Sequence, residues 1–452
     1  MTSDKKMSLT VKVLLGMLLG IAVGLVINLS GMNAEGSFVN WFVVDGVLYA
    51  IGKMFVNALK MLVVPLVFFS LICGVCGIGD IKALGRVGTK SFALYMLTTA
   101  IAIATAITIA GFSGIGKGMN QAIDAAFAGK ESPPLSDVFI NIIPSNPIAA
   151  MANGQMLPII FFAILTGISI LMVGRQAKTL VELAELGNEV MMKMVNVIMA
   201  VAPYAVFALI ARSVSNLGLE LLVQLLGYVG VLVGALLLHL FVTLMIILKL
   251  FSGLNPATFL KKIRNAQVFA FSTASSNATI PVTLRTVTQR MGVNNSVGSF
   301  TVPFGATINM DGTAIMQGVA TVFIANIYGV DLGLVGYLTV ILMSVMASIG
   351  TAGVPGVGLI MLSMVFTQVG LPVEGIGLIL GVDRLMDKIK TAGNVSGDAV
   401  VSFIVAKGEG KLDLEVYNDP EAGVINTDEA IHIDEDVEAE LAETLKEAQA
   451  KA

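Results

Sequence analysis

Five residues near the C-terminal end of the chain, Asp383, Asp387, Lys390, Asn394 and Asp398, stand 4, 3, 4 and 4 positions apart. At 100° per residue they share one narrow stripe of a helix, and Lys388 falls well off it. Three carboxylates, an amine and a carboxamide on one face have the chemistry to hold a zwitterion, an anion or a cation. The chain around them is 56% apolar and 13% charged. A charge at membrane depth costs roughly 2.5–3.5 kcal/mol on insertion scales, so the stripe should line a site or a water-filled cavity. If the stretch lay beyond the last membrane span, it would be a soluble amphipathic helix instead.

A second constellation is Asn309-Met310-Asp311-Gly312-Thr313. It sets a carboxylate, an amide and a hydroxyl at a glycine-containing break inside an apolar stretch. Hard cations want oxygen ligands, and a broken helix frees backbone carbonyls. With no His or Cys beside it, Na⁺ fits better than a transition metal. Two more breaks, SSNATIP at 275–281 and SIGTAGVPG at 348–356, sit mid-way along apolar segments of similar length. Paired, interrupted hydrophobic segments point to a transporter's binding site, each as a re-entrant hairpin whose tip supplies free amides and carbonyls.

The elements positioning these groups must cross a membrane. The 452 residues include 22 Phe, 24 Met and 47 Gly, and several apolar runs approach or exceed the ~20 residues that span a bilayer. The expected class is an all-α polytopic membrane protein, with the first apolar run retained as a span rather than cleaved as a leader. Spans are expected near 11–29, 42–79, 88–112, a Pro-broken segment ending at 159–173, 188–212 and 221–251. Basic clusters fall at Lys5 and Lys6, at Lys82, Arg86 and Lys90, at Arg175 and Lys178, and at Lys249, Lys261, Lys262 and Arg264. They alternate with the spans, which predicts a cytoplasmic N-terminus. From 255 onward no clean span is expected until the last helix. Residues 408–452 hold 14 of the 31 acidic residues and three lysines, so the tail reads as a solvated, disordered appendage. Cys73 and Cys76 read as small buried helix residues, His239 as a hydrogen-bonded helix residue, and Trp41 as an interface anchor. GIGKG at 114–118 lacks the lysine–hydroxyl pair of a phosphate loop, so neither a nucleotide site nor a nucleic-acid partner is expected.

SSNATIPVTL, NMDGTAIMQG, SIGTAGVPG and D-x3-D-x2-K-x3-N-x3-D, in that order, resemble the dicarboxylate/amino acid:cation symporters, the glutamate-transporter homologues, over nearly all of residues 10–407. That resemblance implies a homotrimer in the cell inner membrane with both termini cytoplasmic and each protomer in contact with lipid. It implies eight membrane helices, re-entrant hairpins near 256–292 and 333–370, and an elevator motion. Residues 1–87 and 113–220 would then be mainly scaffold, and 88–112 and 221–407 the transport domain. It implies an amino-acid substrate with its carboxylate at Asn394, Ser275 and Ser276 and its amine at Asp387. The side chain would meet Lys390, Thr391, Thr313 and the second tip at Ala352, Gly353, Val354, Pro355 and Gly358. Three sodium sites would follow: Gly305, Asn309, Asn394 and Asp398; Thr307, Met310, Ser348, Ile349 and Thr351; and Tyr95, Thr98, Thr99, Asn309 and Asp311. Asp383 is left as support.

Three departures refine the expectation. Lys390 stands where acidic-amino-acid members carry arginine, keeping the charge but losing the planar fork. The family's other arginine is Ala274 or Lys388 here, and Lys388 either pairs with a carboxylate near the substrate or snorkels. Gln317 replaces a proton-carrying glutamate, which predicts sodium coupling without proton cotransport. Asp387 argues for an amino acid over a plain dicarboxylate, on the reasoning that it has a partner only when an amine arrives. The favoured function is therefore sodium-driven import of an acidic amino acid, with a neutral or sulfur-containing amino acid or a C4-dicarboxylate as the alternative. An intramembrane aspartyl protease would need only a carboxylate dyad such as Asp311 and Asp398, and a passive anion channel would not require Asp387 or Asn394, so no enzyme is expected.

Overall fold

The computed structural model describes residues 7, 9–34, 36–76, 84–119, 140, 142–350, 353 and 356–423. Within them every regular element is a helix. The first half holds α1 (Leu9–Leu29), α2 (Tyr49–Cys76), α3 (Thr89–Ser113), α4 (Pro147–Ala152), α5 (Met156–Val173), α6 (Lys178–Ala200), α7 (Ala202–Leu238) and α8 (Leu244–Ser252). Five stretches of this half are long and apolar enough to cross a bilayer, the longest running from Ala202 to Ser252. The expectations at Lys5, Lys6 and Lys82, and for the tail beyond residue 423, lie outside the described residues.

The span expected at 188–212 is placed differently. A helix boundary falls at Val201, and Pro203 lies in the first turn of α7 rather than in mid-helix. Proline's missing N–H costs nothing in a first turn, where that donor has no intrahelical partner. α7 then bends at Gly218, whose φ is +65°. The carbonyl of Ser215, freed by that bend, accepts from the side-chain amides of Asn28 and Asn33, each at 2.8 Å. Irregular backbone at membrane depth needs such substitutes. α1 lies along this part of α7 through Gly16, Gly20 and Gly24. A Cβ on Gly20 would stand 2.8 Å from the Phe207 carbonyl oxygen and one on Gly24 2.7 Å from that of Ala211. Small residues every fourth position let two helices touch backbone to backbone where lipid offers no hydrophobic drive.

The second half is a series of broken helices closed by one long one. α9 (Pro256–Thr273) starts on an Asn255 cap, turns at Ala274 and returns as α10 (Ser276–Arg285), capped by Ser275. Ala274 has φ +50°, alone among the described non-glycine residues in the left-handed region. α11 (Asn295–Ile308) and α12 (Asp311–Ile327) are separated by Asn309 and Met310, whose φ/ψ leave the helical region. α13 (Gly333–Gly350) and α14 (Val357–Gln368) form the second helical hairpin. α15 (Ile376–Gly408) runs 33 residues through the middle of this half. Short α16 (Leu414–Asn418) ends the described chain.

The segment after α15 fastens the base of the first hairpin. Asp413 N–H donates to Gly292 O at 2.8 Å and Asn294 N–H to Lys411 O at 3.0 Å, around a Val293–Leu412 bridge. Lys262 on α9 donates to the carbonyls of Arg290, Val416 and Asp419 at 2.5, 2.7 and 2.7 Å. The three donors of its ammonium are all used at helix ends, which favour a cation. Tyr417, 1% exposed, donates its hydroxyl to Asn255 O.

Candidate functional site

The site lies where α15 passes the break between α11 and α12. On α15 the five stripe residues are all buried, with Asp383, Asp398 and Lys390 at 1–2% exposure. The spacing therefore put them on one face, and packing turned that face inward. Lys390 Nζ lies 2.6 Å from Asp383 Oδ1 and 2.8 Å from Asp387 Oδ1. This corrects the reasoning on Asp387, which has a partner without an arriving amine, because the lysine stem folds back along its own helix between the two carboxylates. Asp383 is thus the nearer counter-charge of Lys390. Two of the ammonium's three donors are engaged, and the third has no partner among the described residues. Oδ2 of both carboxylates has no hydrogen-bond partner among the described residues.

Around the triad stand Thr313, Thr391 and Gly358. A Cβ on Gly358 would lie 3.1 Å from Thr313 Cγ2 and 3.8 Å from Lys390 Nζ, so the second hairpin's backbone is next to the amine. Thr391 donates to Asp387 O at 2.7 Å, which turns its hydroxyl back onto the helix. Asn394 Oδ1 accepts from Gly312 N–H at 2.7 Å and its Nδ2 reaches Met310 Sδ at 3.2 Å. A thioether is a weak acceptor, so that amide is available to a stronger one. Ser276 is buried at the first tip. Ser275 instead joins the two tips, donating to Gly353 O at 2.7 Å while Asn277 N–H reaches the same oxygen at 3.3 Å. Ala352, Val354, Pro355 and Thr351 lie outside the described residues. Lys388 pairs with no carboxylate among the described residues. Its ammonium lies 5.6 Å from the centre of the Phe271 ring on α9.

Oxygen-rich clusters occupy the break itself. Asp398 Oδ1 accepts from Asn309 Nδ2 at 2.9 Å, and a Cβ on Gly305 would stand 2.5 Å from the same oxygen. Asn309 Nδ2 also approaches Asn394 O at 3.4 Å, so Gly305, Asn309, Asn394 and Asp398 converge. On the other side, Thr99 donates to Asp311 Oδ1 at 2.6 Å, and Thr98 lies 3.4 Å from both that oxygen and Asn309 Oδ1. Tyr95 donates to Thr301 O at 2.9 Å, and its hydroxyl would lie 2.6 Å from a Gly305 Cβ. In the remaining set Ser348 donates to Ile308 O at 3.1 Å. Thr307 and the Ile349 carbonyl both face Gly74 of α2, while Met310 is turned to Asn394. Carboxylate, carbonyl and hydroxyl oxygens without thiolate make a hard-cation donor set. Gly397 has no side chain to fill the gap between Asn309 and Asp311.

The sequence marks His239 as a hydrogen-bonded helix residue but gives no sign of its partner. It sits at a widened helical turn (His239–Thr243) between α7 and α8, and its Nε2 lies 3.1 Å from Asp311 Oδ2. No spacing rule links residues 72 positions apart, and a lone histidine in a span carried no other signal.

The model of the sodium:dicarboxylate symporter family matches residues 9–408. The chain belongs to this family. It is accordingly an all-α membrane transporter of the symport class and not an enzyme. It is 33% identical over 420 residues to the "Proton/sodium-glutamate symport protein" of Bacillus caldotenax, covering 91% of this chain and 97% of that one. It is 34% identical to the "Proton/glutamate-aspartate symporter" of Escherichia coli (strain K12), covering 90% and 94%. Against the "C4-dicarboxylate transport protein" of Bacillus subtilis (strain 168) identity is 30%, over the same shares. The intramembrane protease reading is thereby set aside.

Proposed function

We propose that the protein imports an acidic amino acid, aspartate or glutamate, driven by a sodium gradient without proton cotransport. The observation that carries this reading is the buried layer in which the Asp383–Lys390–Asp387 triad stands beside Asp398 and Asp311 at the broken helix. A cargo amine takes the free oxygens of Asp387, and its side-chain carboxylate takes the remaining donor of Lys390. The α-carboxylate is held by Asn394 and the first tip at Ser276. Sodium ions balance Asp398 and Asp311, each among carbonyls and hydroxyls. A single lysine donor grips a carboxylate less selectively than an arginine fork. Gln317, 1% exposed and with its Oε1 unpartnered among the described residues, has no proton to carry.

In this reading residues 88–112 and 221–407 move as a transport domain, with α9–α10 and α13–α14 as its re-entrant hairpins, against a scaffold of 1–87 and 113–220. The assembly is a homotrimer in the inner membrane with cytoplasmic termini. A C4-dicarboxylate is the second reading. It is favoured by the Lys390–Asp387 ion pair, which leaves Asp387 satisfied with no cargo amine, and by the relative named for such transport.

Proteoliposome uptake of labelled L-aspartate decides among these. Competitors are L-glutamate, L-serine, L-cystine and succinate, under a sodium gradient, a proton gradient, or neither. The reading requires sodium-dependent uptake, competition by L-glutamate above succinate and L-serine, and no acidification of the lumen. Because relatives are named for proton coupling, the lumenal pH arm bears most directly on Gln317. Lumenal acidification that follows uptake sinks the sodium-only claim, and dominant competition by succinate selects the second reading.

A further inference from the structure

His239 is 2% exposed and Asp311 is fully buried. The imidazole's Nε2 meets Asp311 Oδ2 at 3.1 Å, and its Nδ1 has no hydrogen-bond partner among the described residues. A histidine satisfied by its own helix would hand a ring N–H to a carbonyl one turn back, and this one does not. Its one side-chain bond among the described residues runs to a carboxylate on another helix. The proton therefore sits on Nε2, where an acceptor faces it, since a proton on Nδ1 would be a buried donor with no acceptor.

The two oxygens of Asp311 are thereby divided. Oδ1 receives Thr99 at 2.6 Å and Thr98 at 3.4 Å from α3. Oδ2 receives His239, and on its other side a Cβ on Gly397 would come within 3.1 Å. We infer that His239 is a positioning residue for the cation site at Asp311. Its Nε2–H pins Oδ2, so the carboxylate cannot turn to chelate through both oxygens and presents Oδ1 alone to a small cation among Thr98, Thr99 and Asn309. Partners of this kind, which hold a ligand by its other side, typically change metal affinity by about 10–100-fold when removed. The widened turn at His239–Thr243 is the device that aims the ring, consistent with the tendency of such helical bulges to mark functional positions. The inference rests on the proposed reading of Asp311 as a sodium ligand.

The test is a sodium titration, with choline chloride holding ionic strength. It is read both as uptake in proteoliposomes and as thermal stabilisation of the detergent-solubilised protein, which needs no transport. His239→Met keeps the volume and removes the donor, and should raise the half-saturating sodium concentration about tenfold or more. His239→Gln, whose amide reaches the carboxylate, should return it towards wild type. In an Asp311→Asn background, His239→Met should add nothing, because it acts through that carboxylate. Should the Met variant not fold, His239→Leu takes its place. A loss of thermal stability with unchanged half-saturation makes His239 a packing residue and overturns the inference. If Asp311→Asn shifts half-saturation and His239→Met does not, the inference alone fails. If neither shifts it, the reading of Asp311 fails and the inference with it.

Discussion

Replacing Lys390 by methionine tests the central layer most directly, because the side chain keeps much of its length and loses its charge. Its ammonium is the recorded counter-charge to Asp383 at 2.6 Å and Asp387 at 2.8 Å, and all three groups are buried. Breaking a buried ion pair by removing one partner costs about 3–5 kcal/mol, because a charge is left uncompensated, and here two carboxylates would be left together. Asp383→Asn keeps the Lys390–Asp387 pair and should cost about 1–3 kcal/mol. Adding it to Lys390→Met removes one of the two orphaned charges. The double variant should then be less destabilised than the sum by about 0.5–3 kcal/mol. The assay is equilibrium unfolding of purified protein in detergent, free of substrate, for wild type, both single variants and the double. Uptake supplies the functional arm. A hydrogen bond to a charged group contributes about 1.5–3 kcal/mol, and each 1.4 kcal/mol is tenfold, so Lys390→Met should weaken L-aspartate by about 10–100-fold. L-Serine should suffer far less. The reasoning is refuted if Lys390→Met unfolds within about 0.5 kcal/mol of wild type, the range of ordinary surface substitutions. Strict additivity in the double variant, or equal losses for L-aspartate and L-serine, would refute it as well.

Asp398→Asn should raise the sodium concentration for half-maximal uptake, since Asp398 is the one carboxylate of its cluster, and an unchanged sodium curve would remove it from the ion site. Lys262→Met leaves three carbonyls at helix ends without their donor, so it should destabilise by about 1–3 kcal/mol and accelerate hydrogen exchange around Tyr417. Unchanged exchange would mean that the segment after α15 holds without it. Glu409, just past α15, accepts from Lys90 and Arg86 at 2.7 Å each, and these bonds hold its carboxyl below the ordinary value of 4.5. A depressed folded-state value stabilises above the ordinary one and is lost as pH falls through it. Glu409→Gln should therefore be less stable than wild type at pH 7, with the difference closing in acid, and a pH-independent difference would exclude the ion pairs as its cause.

Much of this protein was legible because the relevant rules are local. Apolar runs declare membrane spans, since a helix alone satisfies its backbone in lipid. The 4-3-4-4 spacing puts five polar groups on one face whatever surrounds the helix, and the breaks at Ser275, at Asn309 and past Gly350 follow from turn-forming residues in apolar sequence. The glycines at 16, 20 and 24 show their role only in the structure, where they let α1 meet α7. The boundary at Val201 was available from Pro203, had its place in a first turn been weighed against a long apolar run. Tertiary structure decided what the polar groups do with one another. Spacing gives the face Lys390 occupies, but not the direction of its four-carbon stem, which packing sends back between Asp383 and Asp387. Nor can spacing bring His239 to Asp311, Ser275 to the Gly353 carbonyl or Lys262 to the segment after α15. Those contacts cross 72 to 157 residues, and they form because buried donors and acceptors must find partners once the helices have packed.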